Sequence, residues 1–272
     1  QVKSHGAELE IGFNKSLNDN LSIWAKMAIS HNQNKVMFRD DPPLEYNYLK
    51  AAGYPIGQIR SLVKTDIYQN WDEVYASVPT ETNDAQKLPG YYDMVDMNAD
   101  GTIKSSDDVV PDGYTEVPQN TGTISLGADY KGFSAMLQFY GVNNANRLIN
   151  FPNFKNYTDI LFGDGNYWSA SNPNGEPLPR WKTQADNIGD YYLYDASYLR
   201  LRTVEIAYTF NKQSGWMKKV GFDHLRIFLN ANNVFFWSNL PDDRETTYSG
   251  GSATQGSYPT VKRVNLGIDL TF

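Results

Sequence analysis

The strict alternation of apolar and polar residues at the end of the chain restricts the fold more than any other feature. An extended strand over residues 262–272 has one apolar face, formed by Val264, Leu266, Ile268, Leu270 and Phe272. Its other face carries Arg263, Asn265, Gly267, Asp269 and Thr271. Because successive side chains of a strand point to opposite faces, a period of two over about 10 residues is typical of a tilted membrane-spanning strand.

The same alternation recurs earlier in the chain and predicts six further strands. Together the seven lie near residues 7–15, 20–31, 121–130, 132–141, 198–210, 223–232 and 262–272. No stretch approaches the roughly 18 continuous apolar residues of a membrane-spanning helix. Aromatic residues make up 14% of the chain, and such rings collect at membrane–water interfaces. The predicted fold class is all-β and antiparallel.

The connections between the predicted strands differ greatly in length. Tight turns at 18–20 and 130–132 contrast with long connections at 32–120, 147–197 and 233–261. A soluble β-sandwich also alternates apolar and polar residues, but its turns usually come about every 8–12 residues. Short turns on one side and long extracellular loops on the other favour a transmembrane barrel of the outer-membrane type.

The strand directions lead to an expectation about the remainder of the barrel. With the short turns on the periplasmic side, the seventh strand ends in the periplasm. A complete bacterial barrel formed by one chain has an even number of strands and closes on itself. We therefore expect an odd number of strands to precede these seven, with residues 1–272 forming the C-terminal portion of one barrel domain.

Several short stretches, in order and spacing, give the chain a family resemblance. They are GYPIG at 53–57, PGYYD at 89–93, DMNADG at 96–101, YKGF at 130–133, DASYLRLR at 195–202, LRIFLNANNV at 225–234 and the terminal strand. In these stretches the chain resembles the C-terminal third of SusC/RagA-type TonB-dependent transporters of Bacteroidetes. The resemblance implies a 22-stranded transmembrane barrel in the bacterial outer membrane, of which seven strands are present here.

The same resemblance implies partners for the protein. These are an N-terminal plug domain inside the barrel, TonB contacting a box near the N-terminus of the complete protein, and a SusD-like lipoprotein covering the extracellular face. It also implies that the aromatic Phe272 acts as a signal for barrel assembly. The outer face of the barrel would contact membrane lipid.

A candidate Ca²⁺ site lies in the first long loop. Residues 96–107 match an EF-hand-type loop, with oxygen ligands at positions 1, 3, 5, 7 and 12 and a glycine at position 6. The predicted ligands are Asp96, Asn98, Asp100, the carbonyl of Thr102, and Asp107. Asp is shorter than the usual Glu at position 12, and Lys104 brings a positive charge nearby. The alternative is a turn held by its own Asx side chains.

The second long loop is rich in aromatic residues. Rings among amides and carboxylates suit the stacking of sugars, and they also suit peptides. The candidate ligand-binding residues are Tyr157, Tyr167, Trp168, Trp181 and Tyr192. The alternative is that these rings pack within the loop itself or contact the lid protein.

Four basic residues are predicted to point into the lumen by alternation. They are Arg200, Arg202, His224 and Arg226. Charged groups there would line a substrate path or contact the plug, and plug contact is the favoured interpretation.

The sequence-based hypothesis is TonB-dependent import of a nutrient oligomer, with a glycan favoured over a peptide. The alternative is a surface-exposed, Ca²⁺-stabilised β-rich binding or adhesion protein that is not embedded in a membrane. No acid, base and nucleophile come together in the sequence, so we expect no enzymatic activity. The net charge of -7 argues against nucleic-acid binding.

Overall fold

A computed structural model describes most of the chain. The described residues are 1–82, 84–148, 168–175, 193–210, 217, 219, 221–240 and 260–272. The candidate residues Tyr157, Tyr167, Trp181 and Tyr192 lie outside these ranges.

Seven long strands form one antiparallel sheet. They are β1 (Val2–Asn18), β2 (Leu21–Val36), β7 (Asn120–Tyr130), β8 (Phe133–Asn143), β11 (Tyr198–Phe210), β12 (His224–Ser238) and β13 (Arg263–Thr271). Their order in the sheet is their order in the chain. The fold is therefore an antiparallel meander, and the prediction of an all-β, antiparallel barrel portion is confirmed.

Every predicted strand of the meander is present, and several are longer than predicted. The first strand starts at Val2, and β12 continues through Phe235 and Trp237 to Ser238. The hairpin between β7 and β8 turns at Lys131 and Gly132, which have φ of 48° and 91°. Positive φ at both central residues is what a two-residue hairpin turn of the favoured twist requires.

Six short strands make three small sheets outside the meander. They are β3 (Arg60–Ser61), β4 (Lys64–Ile67), β5 (Tyr92–Met94), β6 (Val110–Pro111), β9 (Asn146–Leu148) and β10 (Leu193–Asp195). The pairs are β3 with β6, β4 with β5, and β9 with β10. The first long connection was predicted only as a loop, yet it holds two of these sheets.

The connection between β2 and β7 has a small core of its own. Leu62, Tyr68, Val74 and Ile103 are buried within it. It also contains two 3₁₀ turns (Asn47–Leu49 and Asp84–Gln86) and the helix α1 (Trp71–Ala76). The side chain of Asn70 caps α1 by accepting a hydrogen bond from the backbone N–H of Glu73. Within the described part of the chain, no helix is long and apolar enough to cross a membrane.

Candidate functional site

One face of the meander is apolar and exposed. Its large side chains include Leu9, Ile29, Ile124, Leu126, Leu137, Ile206, Leu229, Leu266 and Ile268. Leu137 is 38% exposed and Leu266 is 75% exposed. The strands place them together because alternate residues share a face and the registers align these positions from strand to strand. A soluble monomer rarely exposes an apolar patch larger than a few hundred Å².

This outer face has the dimensions of a membrane-spanning surface. On β2 the outward positions run from Ile29 to Leu21, and the corresponding positions of β7 run from Gly122 to Tyr130. Eight residue steps at about 3.3 Å each cover about 26 Å along the strand. Tyr130 and Phe133 face each other at the short-turn end. The outer band therefore ends in aromatic residues there, as the interface girdles of barrels do.

Aromatic residues also mark the long-loop end of the outer face. Phe235 and Trp237 are both about half exposed, and their rings stack with centroids 5.8 Å apart. They stand opposite Leu201 and Leu199 of the neighbouring strand. The two aromatic ends bracket the aliphatic rows between them.

The opposite, inner face of the meander is polar. Arg226 pairs with Glu205 and lies 3.5 Å from Asp269 on its other side. Nearer the long-loop end of the same face, Asn265 Nδ2 donates to Asn230 Oδ1 at 2.8 Å. Hydrogen bonds and ion pairs between adjacent strands therefore line the inner face, which is the arrangement of a water-filled or plugged lumen.

The four predicted lumenal residues form two groups and not one. Arg200 is 1% exposed, with its guanidinium 4.5 Å from the centroid of the Phe236 ring. Arg202 lies over Tyr140 at 5.5 Å, at a register shift between Leu201 and Thr203. These two arginines share an aromatic cluster at the long-loop end of the inner face.

Arg226 and His224 lie near the other end of the sheet. Phe236, the partner of Arg200 in the register, is ten positions after Arg226 on β12, which is about 33 Å of strand. Sequence reasoning missed Glu205 and Asp269 as the carboxylates beside Arg226. The sequence pattern could have indicated this pairing, since Arg226, Glu205 and Asp269 all occupy polar positions of the alternation. Plug contact by these basic residues stays a prediction.

Two glycines on the inner face are covered by aromatic rings of the adjacent strand. A Cβ at Gly127 would lie 2.3 Å from Cε2 of Trp24, and one at Gly267 would lie 2.1 Å from Cζ of Phe228. Each ring therefore lies flat over a backbone that has no side chain. Such aromatic cover of a glycine fixes the register of neighbouring strands.

The predicted Ca²⁺ loop is organised by its own side chains. Asp96 Oδ2 accepts a hydrogen bond from the Gly101 N–H at 2.7 Å, and Asn98 Oδ1 accepts one from the Asp100 N–H at 2.9 Å. Asp100 Oδ1 accepts from the Thr102 N–H at 2.9 Å. These contacts describe an Asx-rich turn, which was the alternative interpretation.

Lys104 and Asp107 decide how well the loop fits a cation. Lys104 Nζ forms an ion pair with Asp100 and lies 3.7 Å from Asp107 Oδ2. The pKa of Asp100 is lowered, chiefly by its hydrogen bond from Lys104, and the pKa of Asp107 is raised by desolvation. Asp107 Oδ1 is buried without a hydrogen-bond partner, which favours a bound cation. The Lys104 ammonium group argues against one, because it already supplies positive charge to the same carboxylates.

Asp108 has a structural role that the motif did not indicate. It is fully buried, and its carboxylate accepts hydrogen bonds from the N–H groups of Met97, Asn98 and Lys104 at 2.8, 3.3 and 2.7 Å. Asp108 thus closes the loop at both ends. Among the described residues, no three His, Cys, Asp or Glu side chains form a group able to hold a metal. The Ca²⁺ site stays a prediction.

Trp168 is the one candidate ligand-binding ring within the described residues. Its indole Nε1 donates to Gln69 Oε1 at 2.8 Å, and Gln69 Nε2 donates to the Pro173 carbonyl at 3.3 Å. The ring is half-buried against the connection between β2 and β7. Trp168 therefore joins the two long connections.

An antiparallel meander with an apolar, exposed outer face and a polar inner face defines a portion of a transmembrane β-barrel. The chain is 23% identical, over its whole length, to TonB-dependent receptors P3 and P26 of Formosa agariphila. It spans about 29% of the length of each. No model of a known protein family matches the chain.

Solved structures show the same fold. The RagAB peptide transporter superposes with a TM-score of 0.72 at 19% identity, covering all of this chain and 29% of that one. The RagAB peptide importer in its closed-closed state gives a TM-score of 0.68 at 19% identity, with 30% of that chain covered. The resemblance to the barrel portion of SusC/RagA-type TonB-dependent transporters is confirmed.

Proposed function

We propose that the chain is part of a TonB-dependent importer of the bacterial outer membrane that takes up a nutrient oligomer. The observation that carries the proposal is the inverted distribution of polarity in the meander. Apolar side chains lie exposed on the outer face, while Arg226, Glu205 and Asp269 form ion pairs on the inner one. This arrangement suits a sheet with lipid outside and a polar path inside.

The proposed path runs from the long-loop end to the short-turn end. At the long-loop end, the exposed Arg202 offers a planar cation beside the partly exposed rings of Tyr140 and Phe236, and the buried Arg200 lies behind Phe236. At the other end, Arg226 is neutralised by carboxylates on both neighbouring strands. Paired charges of this kind leave the lower lumen suited to contact with the polar surface of a plug domain.

A glycan is the favoured substrate, and a peptide is the alternative. The aromatic rings of the second long connection support the glycan, because sugar C–H groups stack on ring faces. The structures of similar fold are named as peptide transporters, which supports the alternative. The proposed partners are a SusD-like lipoprotein at the long-loop end, TonB and the protein's own plug. We propose no enzymatic activity.

Membrane association tests the proposal first. The complete protein should fractionate with outer membranes and stay in solution only in detergent. A protein that is soluble without detergent would instead support the surface-exposed adhesion protein. Salt and carbonate washes provide the control, because they release peripheral proteins and leave integral ones in the pellet.

Growth of a deletion strain tests the substrate class. Loss of the gene should abolish growth on one defined oligomer and leave growth on its monomer intact. Glycan libraries and peptide mixtures of matched size distinguish the two classes. Co-purification of a lipoprotein with the wild-type protein tests the partner. Normal growth of the deletion strain on every oligomer would contradict import.

A further inference from the structure

An apolar groove interrupts the outer face near its long-loop end. Gly122 and Gly141 stand opposite each other on β7 and β8 and form its floor. In the same row, Ile29 of β2 lies beside Gly122 and Leu199 of β11 lies beside Gly141. These two side chains form the walls. Ile124 and Phe139 close the groove toward the centre of the face, and its volume is about 250 Å³.

The groove exists because both floor residues are glycines. A Cβ at Gly122 would meet nothing closer than the Ala28 carbonyl at 3.8 Å, so a side chain there would extend into the groove. A Cβ at Gly141 would lie 3.0 Å from the Tyr198 carbonyl and 3.3 Å from Leu199 Cδ1. The walls stand three strand spacings apart, about 14 Å, which leaves room for a narrow apolar chain.

Polar side chains border the groove at its long-loop end. His31, Asn120 and Asn143 form the next row toward the long connections, and His31 Nδ1 lies 2.6 Å from Asn120 Oδ1. The groove therefore lies at the boundary between the apolar band and a polar row. A lipid has the same order of chemistry, with an acyl chain below and an ester and headgroup above.

We propose that this groove binds one acyl chain of a membrane lipid, whose ester region lies at His31, Asn120 and Asn143. The proposal rests on the proposed membrane location, because the groove is continuous with the lipid-facing surface. Water is a poor occupant, since a buried water needs two to four polar partners and the groove lining is almost entirely apolar. An acyl chain contacts both side walls and the glycine backbone through dispersion.

The test compares Gly122→Leu with Ala128→Leu in the complete protein. Ala128 lies on the same strand and the same face, opposite Ala135, and is a matched control outside the groove. Each purified, delipidated protein is incubated in mixed micelles with a phosphatidylcholine that carries a dibrominated acyl chain. Native mass spectrometry then counts the bromine-labelled lipids that remain after detergent exchange.

The wild-type protein and Ala128→Leu should each retain one labelled lipid. Gly122→Leu should reduce that occupancy at least tenfold, because leucine fills the groove. Equal retention by all three proteins, or retention by none, would overturn the proposal. Membrane fractionation of the same variants separates this failure from failure of the proposed function. If the wild-type protein retains no labelled lipid, or all three proteins retain it equally, while the wild type still requires detergent, only the groove proposal is overturned.

Discussion

Replacing Leu137 by arginine tests the orientation of the whole sheet. Leu137 lies in the third of the five outer rows between Ile29 and Leu21, opposite Leu126 and Val204. That position is the middle of the apolar band. Gln138 is the next residue and faces the lumen, so Gln138→Arg places the same charge on the other face of the same strand.

The expected cost differs between the two faces. An arginine on the lipid face at the bilayer midplane destabilises a barrel by about 2–4 kcal/mol. This is roughly a 30-fold to 900-fold change in the unfolding equilibrium constant. Among the described residues, the side chain of Gln138 makes two long hydrogen bonds, to Ser125 Oγ at 3.3 Å and Thr203 Oγ1 at 3.5 Å. Their loss should cost less than about 1 kcal/mol.

The measurement is the free energy of unfolding of the complete protein in phosphatidylcholine vesicles. Guanidinium titrations followed by tryptophan fluorescence give this value for the wild type and both variants. The reasoning is refuted if Leu137→Arg stays within about 0.5 kcal/mol of the wild type and Gln138→Arg is the more damaging change. That result is expected of a soluble protein, in which the polar face would be the buried one.

Other changes test the inner face and the first long connection. Gly127→Val should destabilise the barrel by about 1–3 kcal/mol through overpacking against Trp24 and shift the tryptophan emission. Gly12→Ala, where a Cβ meets nothing within 4 Å, should change neither quantity. Lys104→Gln should raise the affinity for Tb³⁺, a Ca²⁺ probe, because the ammonium competes for Asp100; unchanged luminescence titrations would count against a cation site. The pKa of Asp100 is lowered by the hydrogen bond from Lys104. Protection factors of the loop amides, which are exchange rates relative to the intrinsic rate at each pH, should therefore be full above the unfolded pKa of about 3.9 and fall as pH drops through the lower folded value. Protection factors that do not change with pH would contradict this.

The membrane-spanning parts of the strands could be predicted, whereas their extensions could not. Alternation arises because one face contacts lipid and the other contacts the lumen. Beyond the apolar band, residues 2–6 of β1 pair with residues 32–36 of β2. Both faces there are polar apart from Val2 and Val36, so no period of two remains in the sequence. In this part, backbone hydrogen bonds between β1 and β2 hold the hairpin together, and no apolar face contributes.

The organisation of the first long connection could not be predicted either. Its contacts join residues far apart in the chain, such as Tyr48 Oη donating to the Asp107 carbonyl and Ser61 Oγ donating to Asp112 Oδ2, both at 2.7 Å. Contacts of this kind are not marked by any periodic pattern in the sequence. The motif at 96–107 located the turn correctly, but Asp108, one residue beyond it, is the buried carboxylate that closes the loop.

The bulge in β11 is, by contrast, indicated by the spacing of apolar residues in the sequence. Outward residues there are Leu199, Leu201, Val204 and Ile206, so one interval is three residues where alternation allows two. Arg202 and Thr203 cannot both face inward unless one extra residue is inserted. The register shifts between Leu201 and Thr203 against both neighbouring strands, as that argument requires. Since a bulge bends its strand and increases the local twist, this break in phase also explains why the two arginines leave the regular lumenal rows and join the aromatic cluster at the long-loop end.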